Sequence, residues 1–174
     1  MAPHLEIVII GDGFAAAVTV VHLLRQRVDS KSIAIIGERS LGKGNAYDCN
    51  TPSFRLNVRE DLPIIFSEDP LHFSRWAKER LNDPQAKRES GFFYRRSDFG
   101  KYTEELVSDE LQGRPLNHIK GFAKRIQKNG STWNITCKVV KLCWLKILFL
   151  LLVIHHLSGL AQLIIKINRS FNRI

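Results

Sequence analysis

No acidic residue follows Glu110 in this 174-residue chain. All 17 Asp and Glu lie in residues 1–110 beside 15 Lys and Arg, whereas residues 111–174 carry 11 Lys and Arg alone. The formal net charge of +9 therefore describes neither part. Nor does it argue for nucleic-acid binding, because the basic excess lies in apolar and hairpin segments rather than on one polar helix face. Cysteine is scarce too. Cys49, Cys137 and Cys143 form an odd set with no C-x-x-C pair, which excludes a disulfide framework and a zinc knuckle and suits a reducing compartment. Lys and Arg are absent before Arg25, so the apolar run Leu5–Ile10 lacks the cationic flank of a secretory signal, and a cytoplasmic location is expected. Apolar material is not lacking. Hydrophobic residues are 44% and charged residues 25%, a globular composition at a length that suits one domain.

The first forty residues carry the densest pattern. Leu5-Glu6-Ile7-Val8-Ile9-Ile10 reads as a strand buried on both faces, as in a parallel sheet. Gly11-Asp12-Gly13-Phe14-Ala15-Ala16 follows, then a helix to about Arg27 whose apolar face is Phe14, Ala17, Val18, Val21 and Leu24. Ile33–Ile36 is a second buried strand, and Glu38 stands just beyond it, 22 residues after Ala16. This is the β-α-β dinucleotide fingerprint in its G-x-G-x-x-A form. Gly11 permits the tight turn, Gly13 lets backbone amides approach a pyrophosphate, and Ala16 keeps helix and strand close. Gly11, Gly13, Phe14, Ala15 and Ala16 are the candidate cofactor-binding residues of this turn, and Glu38 is placed to accept hydrogen bonds from the adenosine ribose. Asp12 cuts the other way, since it puts a carboxylate beside the expected phosphates unless its side chain turns to solvent. Glu38 disfavours a 2′-phosphate, while Arg39 offers stacking on adenine or pairing with a phosphate. FAD and NAD both stay open at this step.

Further on come Gly42-Lys43-Gly44-Asn45-Ala46-Tyr47, Phe54-Arg55-Leu56-Asn57-Val58, Asp69-Pro70-Leu71-His72-Phe73-Ser74-Arg75-Trp76 and Phe93-Tyr94-Arg95-Arg96-Ser97-Asp98-Phe99-Gly100-Lys101-Tyr102. With the first fingerprint, this ordered set resembles a family of FAD/NAD(P)-binding proteins, mostly bacterial, some of them linked to flavin-dependent hydroxylases. The resemblance covers about residues 5–137. It implies an FAD-dependent oxidoreductase or monooxygenase-like protein with a small-molecule substrate, FAD as the tightly held cofactor and NAD(P) as a second nucleotide. It also implies a Rossmann-like α/β fold of three layers, with Gly44, Ala46 and Tyr47 toward the flavin side and Asn57 among the cofactor-binding residues. Read without it, the same residues are plainer. Phe73, Trp76 and Ala77 form the core face of a helix that starts at Asp69-Pro70, and His72 reads as a capping or satisfied histidine. Arg95 and Arg96 suit either a second nucleotide or acidic substrate, or a solvated loop. Tyr102–Leu111 continues as a helix with Leu106 and Leu111 inward, and Ile119–Cys137 reads as a β-hairpin insertion around Asn129-Gly130.

A domain of that family is expected to close its sheet next, with an apolar strand ending in A-T-G, and no such signature follows. Residues 1–137 are therefore expected to form an incomplete FAD/NAD(P)-binding domain, and 138–174 an apolar basic tail. Residues 147–165 hold no charge, a length that can span a ~30 Å hydrocarbon core. The tail reads as an apolar C-terminal helix contacting a membrane, as a helix of the domain, or as an out-of-frame extension. His155-His156 suggests no metal site, because adjacent residues point to different helix faces. The leading expectation is an FAD-binding oxidoreductase fragment. The alternatives are a non-catalytic nucleotide-binding module held at a membrane by its tail and a non-functional truncated product. No catalytic residue can be named.

Overall fold

A run apolar at successive positions suits a strand covered on both faces, and Leu5–Ile10 forms one, β1. The computed structural model describes residues 5–130, 132–137, 141–142 and 145–150. Beyond β1 the chain forms α1 (Phe14–Arg25), β2 (Ile33–Gly37), the single turn α2 (Gly44–Tyr47) and α3 (His72–Arg80). The short pair β3 (Lys87–Arg88) and β4 (Gly91–Phe92) precedes α4 (Arg96–Leu111) and β5 (Asn117–Lys120). Last come β6 (Ala123–Asn129), β7 (Thr132–Cys137), β8 (Lys141–Leu142) and β9 (Leu145–Leu150).

The main sheet runs β5-β2-β1-β9, and every neighbouring pair in it is parallel. One face takes Ile7, Ile9, Ile33 and Ile35, which pack with Val20, Val21 and Leu24 of α1 and with residues of α3 and α4. The other takes Val8, Ala34 and Ile36 against Ile135 and Cys137 of β7, a cluster that Leu5 joins at the start of β1. The layers are thus helices, parallel sheet and the antiparallel sheet β6-β7-β8, an α/β arrangement with an inserted hairpin. The hairpin turns one residue later than the Asn129-Gly130 signal: Asn129 is the last residue of β6, paired with Thr132, and the chain leaves the strand at Gly130, φ +60. Ile119 and Lys120 do not belong to it. They lie in β5, a mixed polar strand that among the described residues pairs with β2 alone, and such an edge strand carries no apolar run to announce it.

The expected apolar C-terminal helix is corrected. Residues 145–150 are a strand that pairs with β1 in parallel, Leu5 with Leu145 through Ile10 with Leu150. A short apolar run does not declare by periodicity whether it is strand or helix, and the free edge of β1 decides it here by offering a ladder of backbone partners. The rest of the run, 151–165, with His155-His156, lies outside the described residues. No helix among the described residues is long and apolar enough to cross a membrane.

Two helix boundaries also shift. The third helix begins at His72, two residues after Pro70, with the His72 N–H bonded to the Asp69 carbonyl. The fourth begins at Arg96 rather than Tyr102, its backbone N–H donating to Phe54 O.

Candidate functional site

The carboxyl ends of β1 and β2 bring two glycine turns together. Gly11 adopts φ +118, which only glycine takes readily, and its N–H bonds to Ile36 O at 2.8 Å, tying the first turn to β2. Gly13 caps α1 at φ −82, ψ −173, an ordinary extended conformation, so its lack of a side chain serves space and not backbone strain. A Cβ there would sit 4.0 Å from the Gly44 Cα. No side chain caps α1 and no acid lies in its first turn, so the leading N–H groups of the helix keep their positive end open.

Asp12 does not oppose that end. Its Oδ2 accepts the Arg39 N–H at 2.7 Å, so the carboxylate is bound to the loop after β2. Gly37 makes this approach feasible, since a Cβ there would lie 2.5 Å from the Asp12 Cβ. The second turn is bound to the first by the Gly42 N–H, which donates to Asp12 O at 2.7 Å. Gly44, at φ +50, lies so close that its Cβ would meet the Gly13 Cα at 2.8 Å. Behind it, the hydroxyl of buried Thr103 of α4 sits 3.1 Å from the Gly42 carbonyl and 2.9 and 3.1 Å from the Gly100 and Phe99 carbonyls of its own helix, and Gly100 leaves room for the Tyr47 carbonyl. The two turns are one unit, backed by α4.

Of the residues expected from sequence, Gly11, Gly13, Phe14, Gly44 and Tyr47 gather here. Phe14, Tyr47 and Phe99 form a cluster with ring centroids 5.0–6.5 Å apart. Burial raises the pKa of the Tyr47 phenol and the nearby Arg96 charge lowers it, burial being the larger effect. Ala16 is buried against the sheet, while Ala15 and Ala46 are exposed. Glu38 is exposed just past β2. Arg39 is paired with Asp48 at 3.2 Å, an engagement that a stacking or phosphate role would have to break. Asn57 is exposed on a bend of the loop after the Arg55–Arg95 bridge, and no hydrogen bond joins it to either glycine turn.

Sequence reasoning missed Gly37, Gly42, Thr103 and two residues of β5. His118 Nε2 donates to the Gly37 carbonyl at 3.2 Å, and Lys120 Nζ lies 3.4 and 3.5 Å from the Glu38 and Arg39 carbonyls. Burial first, and then Lys120, lowers the His118 pKa, which favours its neutral form. The glycines were a legible signal, whereas a threonine sixty residues from its partner was not.

The aromatic residues of α3 are structural, as their spacing predicts. Trp76 packs on Tyr102 and donates to Glu105 at 2.8 Å, and His72 shares a 2.8 Å hydrogen bond with the Tyr102 hydroxyl. Arg55 and Arg95 converge on Asp83, whose side chain is only 4% exposed. Arg55 grips it with two nitrogens, at 2.9 and 3.2 Å, and Arg95 Nε lies 3.5 Å away without a hydrogen bond. The Arg55 hydrogen bond and charge, followed by the Arg95 charge, hold the Asp83 carboxyl below the usual carboxylate range. A carboxyl depressed in the folded state stabilises the fold above its unfolded pKa, so this contribution is present at neutral pH and is lost as pH falls below about 4. Arg55→Met leaves Asp83 with Arg95 alone and should cost about 3 kcal/mol, the low end for breaking a buried pair. Urea melts at pH 7 and pH 3 check this, with the difference between variant and wild type shrinking at pH 3. A groove of about 630 Å³ beside this cluster is lined by Arg55, Leu56, Arg88, Glu89, Ser90 and Phe93, and no residue of the glycine turns lines it.

Residues 8–141 match the family described as FAD-NAD(P)-binding, a span that ends at β8 and leaves β9 outside it. No curated protein matches the sequence. Among solved structures, OTEMO in complex with FAD and NADP is 14% identical, with a TM-score of 0.58 over 87% of this chain and 26% of its own. A flavin monooxygenase from Stenotrophomonas maltophilia, as a double mutant, is 14% identical, with a TM-score of 0.53 over 84% of this chain and 37% of its own. Thioredoxin reductase from Streptococcus pyogenes is 14% identical, with a TM-score of 0.51 over 86% of this chain and 35% of its own. The likeness is one of fold, and the chain spans between about a quarter and two fifths of the length of these proteins.

Proposed function

The chain belongs to the FAD-NAD(P)-binding family, and from that premise we propose that it is the FAD-holding portion of a flavin-dependent oxidoreductase. The observation that carries the reading is the open N-terminus of α1, with no capping side chain and with the Asp12 carboxylate drawn away to Arg39. An uncapped helix start at the carboxyl end of a parallel strand attracts a diphosphate. Here β2 and β5 lie on one side of β1 and β9 on the other, so this helix start stands where the strand order reverses.

In this reading the amides from Gly13 to Ala16 hold the pyrophosphate and Glu38 the adenosine ribose. Gly44 and Tyr47 bound the side toward the flavin, and Ala46 and Asn57 belong to the periphery. Arg39 serves the ribose end only after leaving Asp48. The bound flavin supplies hydride and electron transfer, and the protein supplies binding, orientation and local charge. NAD(P) would be the second nucleotide, and OTEMO, solved with both FAD and NADP, supports pairing the two. The substrate would be a small molecule.

The test is retention of cofactor by the purified full chain. A yellow protein absorbing near ~450 nm that releases flavin on denaturation is expected, because the cofactor carries the chromophore. Colourless protein that binds NAD and takes up no added FAD would make it an NAD-binding domain instead.

A further inference from the structure

Within residues 5–111, the half-buried cations find carboxylate partners with one exception. Arg39 meets Asp48, Lys43 meets Glu104, Arg59 meets Asp61, and Arg55 and Arg95 share Asp83. Arg96, equally half-buried, has no carboxylate partner among the described residues. Asp98, the acid in its own helical turn, is buried and lies 3.6 Å from Lys101. A partly desolvated charge without a counter-charge is costly, so its persistence calls for a reason.

Its geometry supplies one. The Arg96 backbone N–H donates to Phe54 O at 2.9 Å, and its Nε donates to Arg55 O at 3.2 Å. Arg55 is itself locked through its bidentate grip on Asp83. The guanidinium is therefore held from behind by one carbonyl, that of Arg55, on a helix start fixed to the same segment through Phe54 O, while its two terminal nitrogens have no hydrogen-bond partner among the described residues. Arg96 opens α4, and further along that helix Phe99 packs edge-on against Tyr47 with ring centroids 5.0 Å apart and Gly100 lies against the Tyr47 carbonyl. Arg96 thus stands one helical turn from the short helix whose first residue, Gly44, lies against Gly13, and Tyr47 feels its charge. An arginine held by its Nε with the terminal amino groups free presents donors that match the oxygens of a phosphate or carboxylate.

We propose that Arg96 is an oxyanion-binding residue at the rim of the double-glycine site, recognising a phosphate or carboxylate group of a bound small molecule. Two sources share this chemistry: the phosphates of the dinucleotide itself, which rests on the reading above, and a separate anionic molecule bound beside it. Arg95, one residue away, lies instead toward Asp83, its Nε 3.5 Å from that carboxylate, and serves as the control.

Calorimetric titration of the full chain with inorganic pyrophosphate at low ionic strength tests this. Wild type should bind, Arg96→Met should weaken binding about tenfold or more, and Arg95→Met should stay within about twofold, since losing a charge-assisted pair is worth about 1.5–3 kcal/mol. Arg96→Lys should fall between wild type and Arg96→Met, keeping the charge without the fork. A melting temperature of Arg96→Met close to that of wild type excludes misfolding as the cause. Repeating the titration after saturation with FAD separates the sources. Loss of the pyrophosphate signal assigns Arg96 to the cofactor's own phosphates, and a surviving, Arg96-dependent signal assigns it to a second anion. If wild type takes up no flavin yet binds pyrophosphate through Arg96, the flavin reading falls and this one stands. It is overturned if wild type binds no pyrophosphate, or if Arg96→Met binds within about twofold of wild type in both states.

Discussion

Ending the chain at residue 137 should abolish cooperative unfolding and flavin retention together. On sequence alone the opposite is expected, because every nominated cofactor residue precedes residue 58 and the tail supplies none of them. The sheet reverses this. β1 is an inner strand only because β9 pairs with it from Leu145 to Leu150, and β7 packs against β9 as well. Without β9, one edge of the strand that carries the first glycine turn loses its ladder, and the apolar side chains around Val8 and Ile9, both fully buried, lose cover. Each large apolar side chain returned to water costs about 1.5–3 kcal/mol, and a few of these equal the whole 5–15 kcal/mol stability of a typical domain. Thermal melts and flavin content of residues 1–137, 1–150 and the full chain decide the matter. The 1–150 form should melt cooperatively and the 1–137 form should not. A 1–137 protein that melts like the full chain would show that β9 adds nothing.

Gly13→Val should remove FAD binding while leaving a folded domain. The backbone there is ordinary, at φ −82, so valine introduces no left-handed strain. The damage is a matter of space. A Cβ already reaches 4.0 Å from the Gly44 Cα, and two further methyl groups must enter either the second glycine turn or the place where a pyrophosphate meets the helix amides. Gly13→Ala is the useful companion, since its single methyl meets nothing nearer than the Gly44 Cα at 4.0 Å and should hold or raise stability by up to about 1 kcal/mol through the unfolded state. Any loss of affinity in the alanine variant then reports on ligand space alone. A fluorescence titration should find FAD binding about 100-fold weaker or undetectable in Gly13→Val. Wild-type affinity in that variant would move the dinucleotide away from the end of β1.

Much of the front of this protein was legible because its signals are local. The apolar runs Leu5–Ile10 and Ile33–Ile36, the glycine spacing after the first and the helical period through Leu24 each lie within a dozen residues, and all became the elements they indicated. The Asn129-Gly130 signal placed the hairpin to within one residue, since Asn129 ends β6 and the chain turns from Gly130. The site was legible only as a set of candidates. That Gly42 and Gly44 dock on the first turn, that Asp12 accepts the Arg39 N–H, and that Thr103 lies against the Gly42 carbonyl are contacts between segments 27 to 61 residues apart. No spacing rule records them.

By itself the amino-acid sequence determined the β-α-β unit, the family and the uneven charge, since backbone period, turn chemistry and composition act over short stretches of chain. Only the tertiary structure separated Arg95 from Arg96, because Asp83, twelve residues before Arg95, lies 3.5 Å from its Nε while the Arg96 Nε turns to the Arg55 carbonyl. It also decided that residues 145–150 are a strand of the sheet. An apolar run will form whichever regular structure offers partners for its backbone, and here those partners belong to β1, some 140 residues earlier in the chain.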